Sequence, residues 1–291
     1  MSWFVYAISS ALLVALASMV EKKVLIREHA AELTATLGLI GFVMALPFFW
    51  FIDYKNLSLI PLVVLFFTSS LGLAGYLLVA KAMRHMDLSE VSPFLVFSPA
   101  LTSLLAWLFL GEVLSLVQIT GIILLLLGAY VLETAPGKSL LAPFRAFKIS
   151  SGIHLLLLSQ LLYSVAAFSD RVLLTKWHMP TVTYLGFVHL FLALQSFIIL
   201  ALFYNGYRGI KHGLKVAGWP IALVAVLALG YRFALVKAVQ VAFVGLAVAV
   251  KRLSILFSTI VGGNIFHERN LLRRTVASFI MIGGAVLIAM T

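Results

Sequence analysis

The sequence predicts an all-α membrane protein of ten transmembrane helices arranged as two inverted five-helix repeats. Three observations carry this expectation: a composition too apolar for a water-facing surface, a succession of apolar runs of spanning length, and a partial likeness between the two halves. Of the 291 residues 63% are apolar and 11% charged, with a mean hydropathy of +1.13. Soluble domains hold about 45–50% apolar and about 25% charged residues, which excludes a soluble enzyme, a disordered chain and a collagen-like chain. A net charge of +11 would suggest nucleic acid if the chain were soluble. In a membrane protein it is the expected excess of Lys and Arg in cytoplasmic loops, so no nucleic-acid partner is expected. Cysteine is absent, which removes disulfides, thiol nucleophiles and Cys-ligated metals.

A spanning helix needs about 20 mostly apolar residues to cross roughly 30 Å of hydrocarbon. The first five spans are expected over 3–20, 33–52, 59–80, 88–110 and 113–132. The second five are expected over 152–174, 182–204, 217–238, 240–266 and 272–290. Residues 1–20 lack a basic start and are followed by Glu21, Lys22 and Lys23, so they read as a retained span and not as a signal peptide. Trp3, Trp50, Trp107, Trp177 and Trp219 fall near proposed ends, where interfacial aromatic belts lie. The longest connection, 133–151, contains Pro136, Gly137, Lys138, Pro143, Arg145 and Lys148 and separates a repeat over 1–132 from one over 152–291. Odd-numbered loops with the helix ends beside them hold 14 Lys and Arg against 4 for the even-numbered ones. The positive-inside rule then puts both termini outside a cell membrane.

A shift of 156 residues lays Lys81-Ala82-Met83 on Lys237-Ala238-Val239, Glu112 on Glu268 and Gly128 on Gly284. A shift of 148–149 aligns Glu21-Lys22 with Asp170-Arg171 better. Five helices per unit is an odd number, so the second unit enters the membrane inverted. Inverted repeats are a property of secondary transporters, which hold substrate near the midplane between halves that rock.

The segment Pro99 to Leu132, with Leu110-Gly111-Glu112 after the fourth span and a glycine-bearing fifth span, resembles the drug/metabolite transporter superfamily of EamA type. Phe266-His267-Glu268 followed by Gly283-Gly284 repeats that pattern more loosely. The resemblance implies ten helices in two inverted repeats and secondary transport of small metabolites, often export. It also implies cytoplasmic termini, opposite to the Lys and Arg count. The expected partners are a small-molecule substrate and membrane lipids, in a monomer or homodimer, with no cofactor.

Catalytic motifs are absent. His267-Glu268 lacks a second His at zincin spacing, and Gly137-Lys138-Ser139 lacks the upstream glycine of a P-loop. The informative residues are polar ones inside apolar helices, because a charge at mid-bilayer costs about 2.5–3.5 kcal/mol. Lys251 and Arg252 fall near the middle of the ninth span and are the primary candidates for holding an anionic substrate group. The alternative is an ion pair between helices, to Asp170 or Glu268. Arg232, Tyr231, Gln160, Tyr163 and His189 are further substrate-binding candidates, and interhelical hydrogen bonds are their alternative. Pro93 and Pro99 are hinge candidates in the fourth span, since proline removes a backbone donor and frees carbonyls.

Val250-Lys251-Arg252-Leu253, with Phe243-Val244-Gly245 upstream, resembles the ninth helix of plastid sugar-phosphate translocators, in which a Lys-Arg pair holds phosphate. Those relatives add a lysine in the fourth helix, and 88–110 here has no Lys or Arg. The resemblance implies an anion and not a sugar phosphate. The rival readings are a proton-coupled exporter of drugs or of cationic or neutral amino-acid-like compounds, and a non-transporting membrane scaffold. The first needs a membrane-embedded carboxylate, and Glu21 and Asp170 are expected toward helix ends.

Overall fold

A computed structural model describes residues 2–25, 30–83, 92–134, 151–203, 218–266 and 271–291. The rest of the expected connection, 135–150, lies outside the described residues, as do His267 and Glu268. The described chain is helical throughout: α1 (Ser2–Leu25), α2 (Ala30–Ala45), α3 (Leu59–Met83), α4 (Ser98–Leu110), α5 (Leu116–Glu133), α6 (Ser151–Thr175), α7 (Thr181–Phe203), α8 (Trp219–Val241), α9 (Val244–Lys251), α10 (Leu253–Phe266) and α11 (Leu271–Ala289). In hydrocarbon each backbone polar group needs an internal partner, and a helix supplies it within one segment. Six of the described helices are long and apolar enough to cross a membrane. Leu116 is 82% exposed and Phe279 70%, while Gln160 and Thr102 are buried. Apolar side chains outside and polar ones inside is the distribution that a lipid solvent selects.

Three expected spans are interrupted. The second ends as an α-helix at Ala45 and continues as a 3-10 turn over Leu46–Phe51, where Pro47 cannot donate to the preceding turn. The fourth begins as a 3-10 turn over Ser92–Phe97 before α4 starts at Ser98 with Pro99 in its first turn. The ninth, expected to be continuous over 240–266, breaks at Arg252. There the Arg252 N–H bonds to the Ala249 carbonyl at 2.9 Å and the Ile255 N–H to the Arg252 carbonyl at 3.0 Å, the tighter i→i−3 pattern. Gly111 closes the C-terminus of α4 with φ 67°, a left-handed conformation that favours glycine, and Ser115 with Gln118 forms a capping box that starts α5.

The extensive helix pairings all join residues 1–134 to residues 151–291. α1 packs on α8, α3 on α6, α2 on α7, α5 on α11 and α4 on α9. Next come α1 with α10, α4 with α6, α2 with α8 and α3 with α7. Exchanging α1 with α6, α2 with α7, α3 with α8, α4 with α9–α10, and α5 with α11 returns the same set of pairings. The halves are interlocked and not set side by side. Small residues permit the closest approach: a Cβ on Gly121 would lie 2.8 Å from the Gly284 carbonyl, and one on Gly128 2.7 Å from that of Ala277. This is the small-residue contact by which helices associate without a hydrophobic driving force.

Candidate functional site

A cavity of about 590 Å3 lies between the halves, within the roughly 300–1,000 Å3 of small-molecule sites. All seven substrate-binding candidates, Lys251, Arg252, Arg232, Tyr231, Gln160, Tyr163 and His189, are on its wall. The hinge candidates play another part. Pro99 is buried in the first turn of α4, where it shapes the break in the fourth span. Pro93 falls in the preceding 3-10 turn.

Two of the three interrupted spans, the fourth and the ninth, meet at the cavity. Arg252, at the junction of α9 and α10, donates from Nη2 to Ser98 Oγ at 2.5 Å, and Ser98 opens α4. Ser164 Oγ on α6 donates to the Ser98 carbonyl at 3.1 Å, so α4, α6 and the α9–α10 junction converge on one serine. His189 Nδ1 donates to the Leu185 carbonyl at 2.8 Å, which leaves Nε2 of a neutral ring as an acceptor. Gln160 Oε1 is buried with no hydrogen-bond partner, as are Asp170 Oδ1 and Arg232 Nε. Buried polar atoms are normally satisfied, so three such atoms on one cavity wall mark where a ligand or water can bind.

The sequence reading did not single out Tyr76, Ser98 and Tyr184, which also stand on this wall, and it did not place Glu21 there. Glu21 and Asp170 lie toward helix ends, as expected, and both line the cavity. α1 runs on to Leu25, a turn beyond Glu21, and α6 carries Asp170 a turn before its end. Asp170 lies near the Tyr184 hydroxyl, with Arg232 and Lys251 in electrostatic reach, and Tyr184 also lies near Arg232. The expected alternative for the cations, neutralisation by Asp170, is thus realised in part: one carboxylate faces Arg232 and Lys251, with Arg252 beside them. Glu21 is hydrogen-bonded to Tyr76, which in turn bonds to Thr34. Each acid sits at the corresponding place in its half, by the 149-residue shift that aligns Glu21 with Asp170.

Residues 1–134 match the EamA-like transporter family. None of the curated proteins matches the chain in sequence. Among solved structures, one described only as the crystal structure of a protein superposes with a TM-score of 0.73 at 17% identity, over 99% of this chain and 96% of that one. That likeness establishes a shared fold over the full length and nothing about substrate.

Proposed function

From the match of residues 1–134 to the EamA-like transporter family we propose that the chain is a secondary active transporter, an exporter or exchanger, of a small anionic or zwitterionic metabolite. The family is one of membrane transporters of small molecules, without enzymatic chemistry. In this reading α1 to α5 and α6 to α11 form two inverted five-helix repeats, residues 1–132 and 152–291, joined by 133–151. The grouping counts the broken α9–α10 as one span and the 3-10 turn plus α4 as another. Its support is the set of pairings that survives exchange of the halves. The Lys and Arg count puts both termini outside the cell membrane in the same reading.

The observation that carries the substrate class is the cluster of Arg232, Lys251 and Arg252 on one cavity wall at a break in a helix. Discontinuous helices are the usual construction of midplane transport sites. Arg252 holds a carboxylate or phosphate with its fork while Lys251 acts as a point charge, and Gln160, Tyr163, Tyr231 and His189 supply neutral hydrogen bonds. Rocking of one half against the other exposes the site to each side in turn.

Proton-coupled export of a cationic or neutral amino-acid-like compound has a specific observation behind it as a second reading: Glu21 and Asp170 both line the cavity. Thermal shift of the purified protein in detergent separates the two. Carboxylates, phosphate esters or amino acids stabilise it if the first reading holds, and organic cations alone do so if the second does. Lys251→Gln and Arg252→Gln each weaken binding of the stabilising anion at least 30-fold, roughly the 2–5 kcal/mol of a truncated buried charge contact, and abolish its transport in proteoliposomes. Arg252→Lys fails too, because one ammonium does not reproduce the fork. Full transport by the double glutamine variant overturns the assignment.

A further inference from the structure

At one end of the cavity a charged cluster joins the halves without facing substrate. Glu112 follows the Gly111 turn after α4, in the first half. Its Oε1 accepts from Arg171 Nε on α6 at 2.6 Å, and its Oε2 accepts from the backbone N–H of Val244, the first residue of α9, at 3.1 Å. Arg171 Nη1 donates to the Val239 carbonyl near the end of α8. The side chains of Arg171 and Glu112 are 12% and 7% exposed. One carboxylate and one guanidinium therefore tie the first half to three helices of the second. Val239 and Val244, whose backbone groups are held, line the cavity themselves, as do Asp170 and Leu174 beside Arg171. The bonds run along the cavity's end wall.

A buried ion pair is weak evidence for stability, because desolvation opposes its attraction, yet breaking one side alone is strongly unfavourable. Such a pair is suited to a junction that is either wholly made or wholly broken. We propose that Glu112 and Arg171 form the releasable seal at this end of the cavity, made when the cavity faces the opposite side of the membrane and broken when it opens here. The proposal rests on the alternating-access reading. α9 links the seal to the site: it is held by Glu112 at Val244 and ends at Lys251 after eight residues, about 12 Å at 1.5 Å per residue. Release of its N-terminus moves Lys251 and Arg252 relative to Arg232 on α8, so occupancy of the site and closure of the seal bias one another. The other half's sequence carries a counterpart for each member: Glu268 for Glu112 at the 156-residue shift, and Lys22 or Lys23 for Arg171 at 149 or 148.

The chain has no cysteine, so single thiols report on each face. Val113→Cys, exposed in the α4–α5 turn, identifies the face that bears the seal in sided membrane vesicles treated with an impermeant maleimide. Ala167→Cys, on the cavity wall one turn before Arg171, reports access to the cavity. With the seal intact, the Ala167→Cys thiol reacts from the face opposite to that of Val113→Cys and only slowly from the sealed face. Adding Glu112→Gln or Arg171→Gln raises its rate from the sealed face about tenfold or more, an ordinary coupling strength. Arg171→Lys, which keeps the charge and loses the fork, gives an intermediate rate. Unchanged rates in variants that melt like the parent overturn the proposal, as do equal rates from both faces in the parent. So does failure of all three variants to insert, since the pair is then structural. Thiol access requires no substrate, so a wrong substrate class leaves this result readable.

Discussion

Residues 2–134 and residues 151–291 differ in what they put on the cavity wall. The first half supplies Gly38, Gly41 and Gly72 with Thr34, Thr68, Ser69 and Thr102, and the second supplies Arg232, Lys251, Arg252 and His189. The carboxylates sharpen the contrast. Glu21 meets the hydroxyl of Tyr76, whereas Asp170 meets the hydroxyl of Tyr184 under the field of Arg232 and Lys251. At the 156-residue shift Tyr76 corresponds to Arg232. That position puts a cation beside Asp170 where Glu21 has a phenol. Helix pairing constrains shape and can be kept symmetric, while a substrate with unlike ends needs walls of unlike charge.

The largest expected effect comes from removing the acid that the cations face. Asp170→Asn keeps an acceptor for Tyr184 and leaves Arg232 and Lys251 without opposing charge. It should lower stability in detergent by about 3 kcal/mol, the scale of an uncompensated buried charge. Millimolar concentrations of a bound anion should restore part of the loss by mass action. Glu21→Gln keeps the Tyr76 hydrogen bond and orphans no described cation, so its effect should stay within about 1 kcal/mol. Equal melting shifts for the two variants would remove the contrast between the clusters.

A smaller effect tests whether Arg232 makes the difference. Arg232→Tyr gives the second half the residue of the first. It should weaken anion binding about tenfold, in line with roughly 1.5–3 kcal/mol for a hydrogen bond to a charged group. On that background Asp170→Asn should destabilise less than it does alone, with a coupling of about 1 kcal/mol in the double-mutant cycle. Strict additivity would mean that Asp170 answers to Lys251 and not to Arg232.

Much of the helical framework was legible because apolar run length is a strong signal, and Lys251 and Arg252 were legible because charge in hydrocarbon is conspicuous. The interruptions were less so. Pro47, Pro93 and Pro99 announce two of them locally, but the break at Arg252 has no proline or glycine beside it. Asp170 and Glu21 were assigned to helix ends by counting residues from a boundary, and counting along one helix cannot tell whether a side chain turns inward. Ser98 carried no charge to draw notice, although Arg252 bonds to it. The seal was hidden more deeply: Glu112 was noticed as part of a family pattern, while its partners lie 59 and 132 positions away, and Arg171 in turn bonds a carbonyl 68 positions from itself.

The smallest predicted effect concerns the glycines of the first half. Gly72 and Gly75 sit one turn apart on α3, yet a Cβ at Gly72 meets nothing within 4 Å, while one at Gly75 meets the Tyr163 ring at 3.1–3.2 Å. In a helix interior Ala is better than Gly by about 0.8–1.0 kcal/mol, so Gly72→Ala should leave the fold as stable or raise its melting temperature slightly. Its methyl group projects into the cavity and should weaken substrate binding by crowding alone. Gly75→Ala gains the same propensity but pushes Tyr163, an offset of about 1 kcal/mol or more for overpacking, so its net stability should be unchanged or lower. The pair separates two jobs that glycine does on α3: room for a ligand at Gly72, on the cavity wall, and room for a neighbouring aromatic ring at Gly75. If Gly72→Ala left binding intact while Gly75→Ala weakened it, substrate would contact the Tyr163 side of the cavity, and the small-residue face of the first half would be packing and not part of the site.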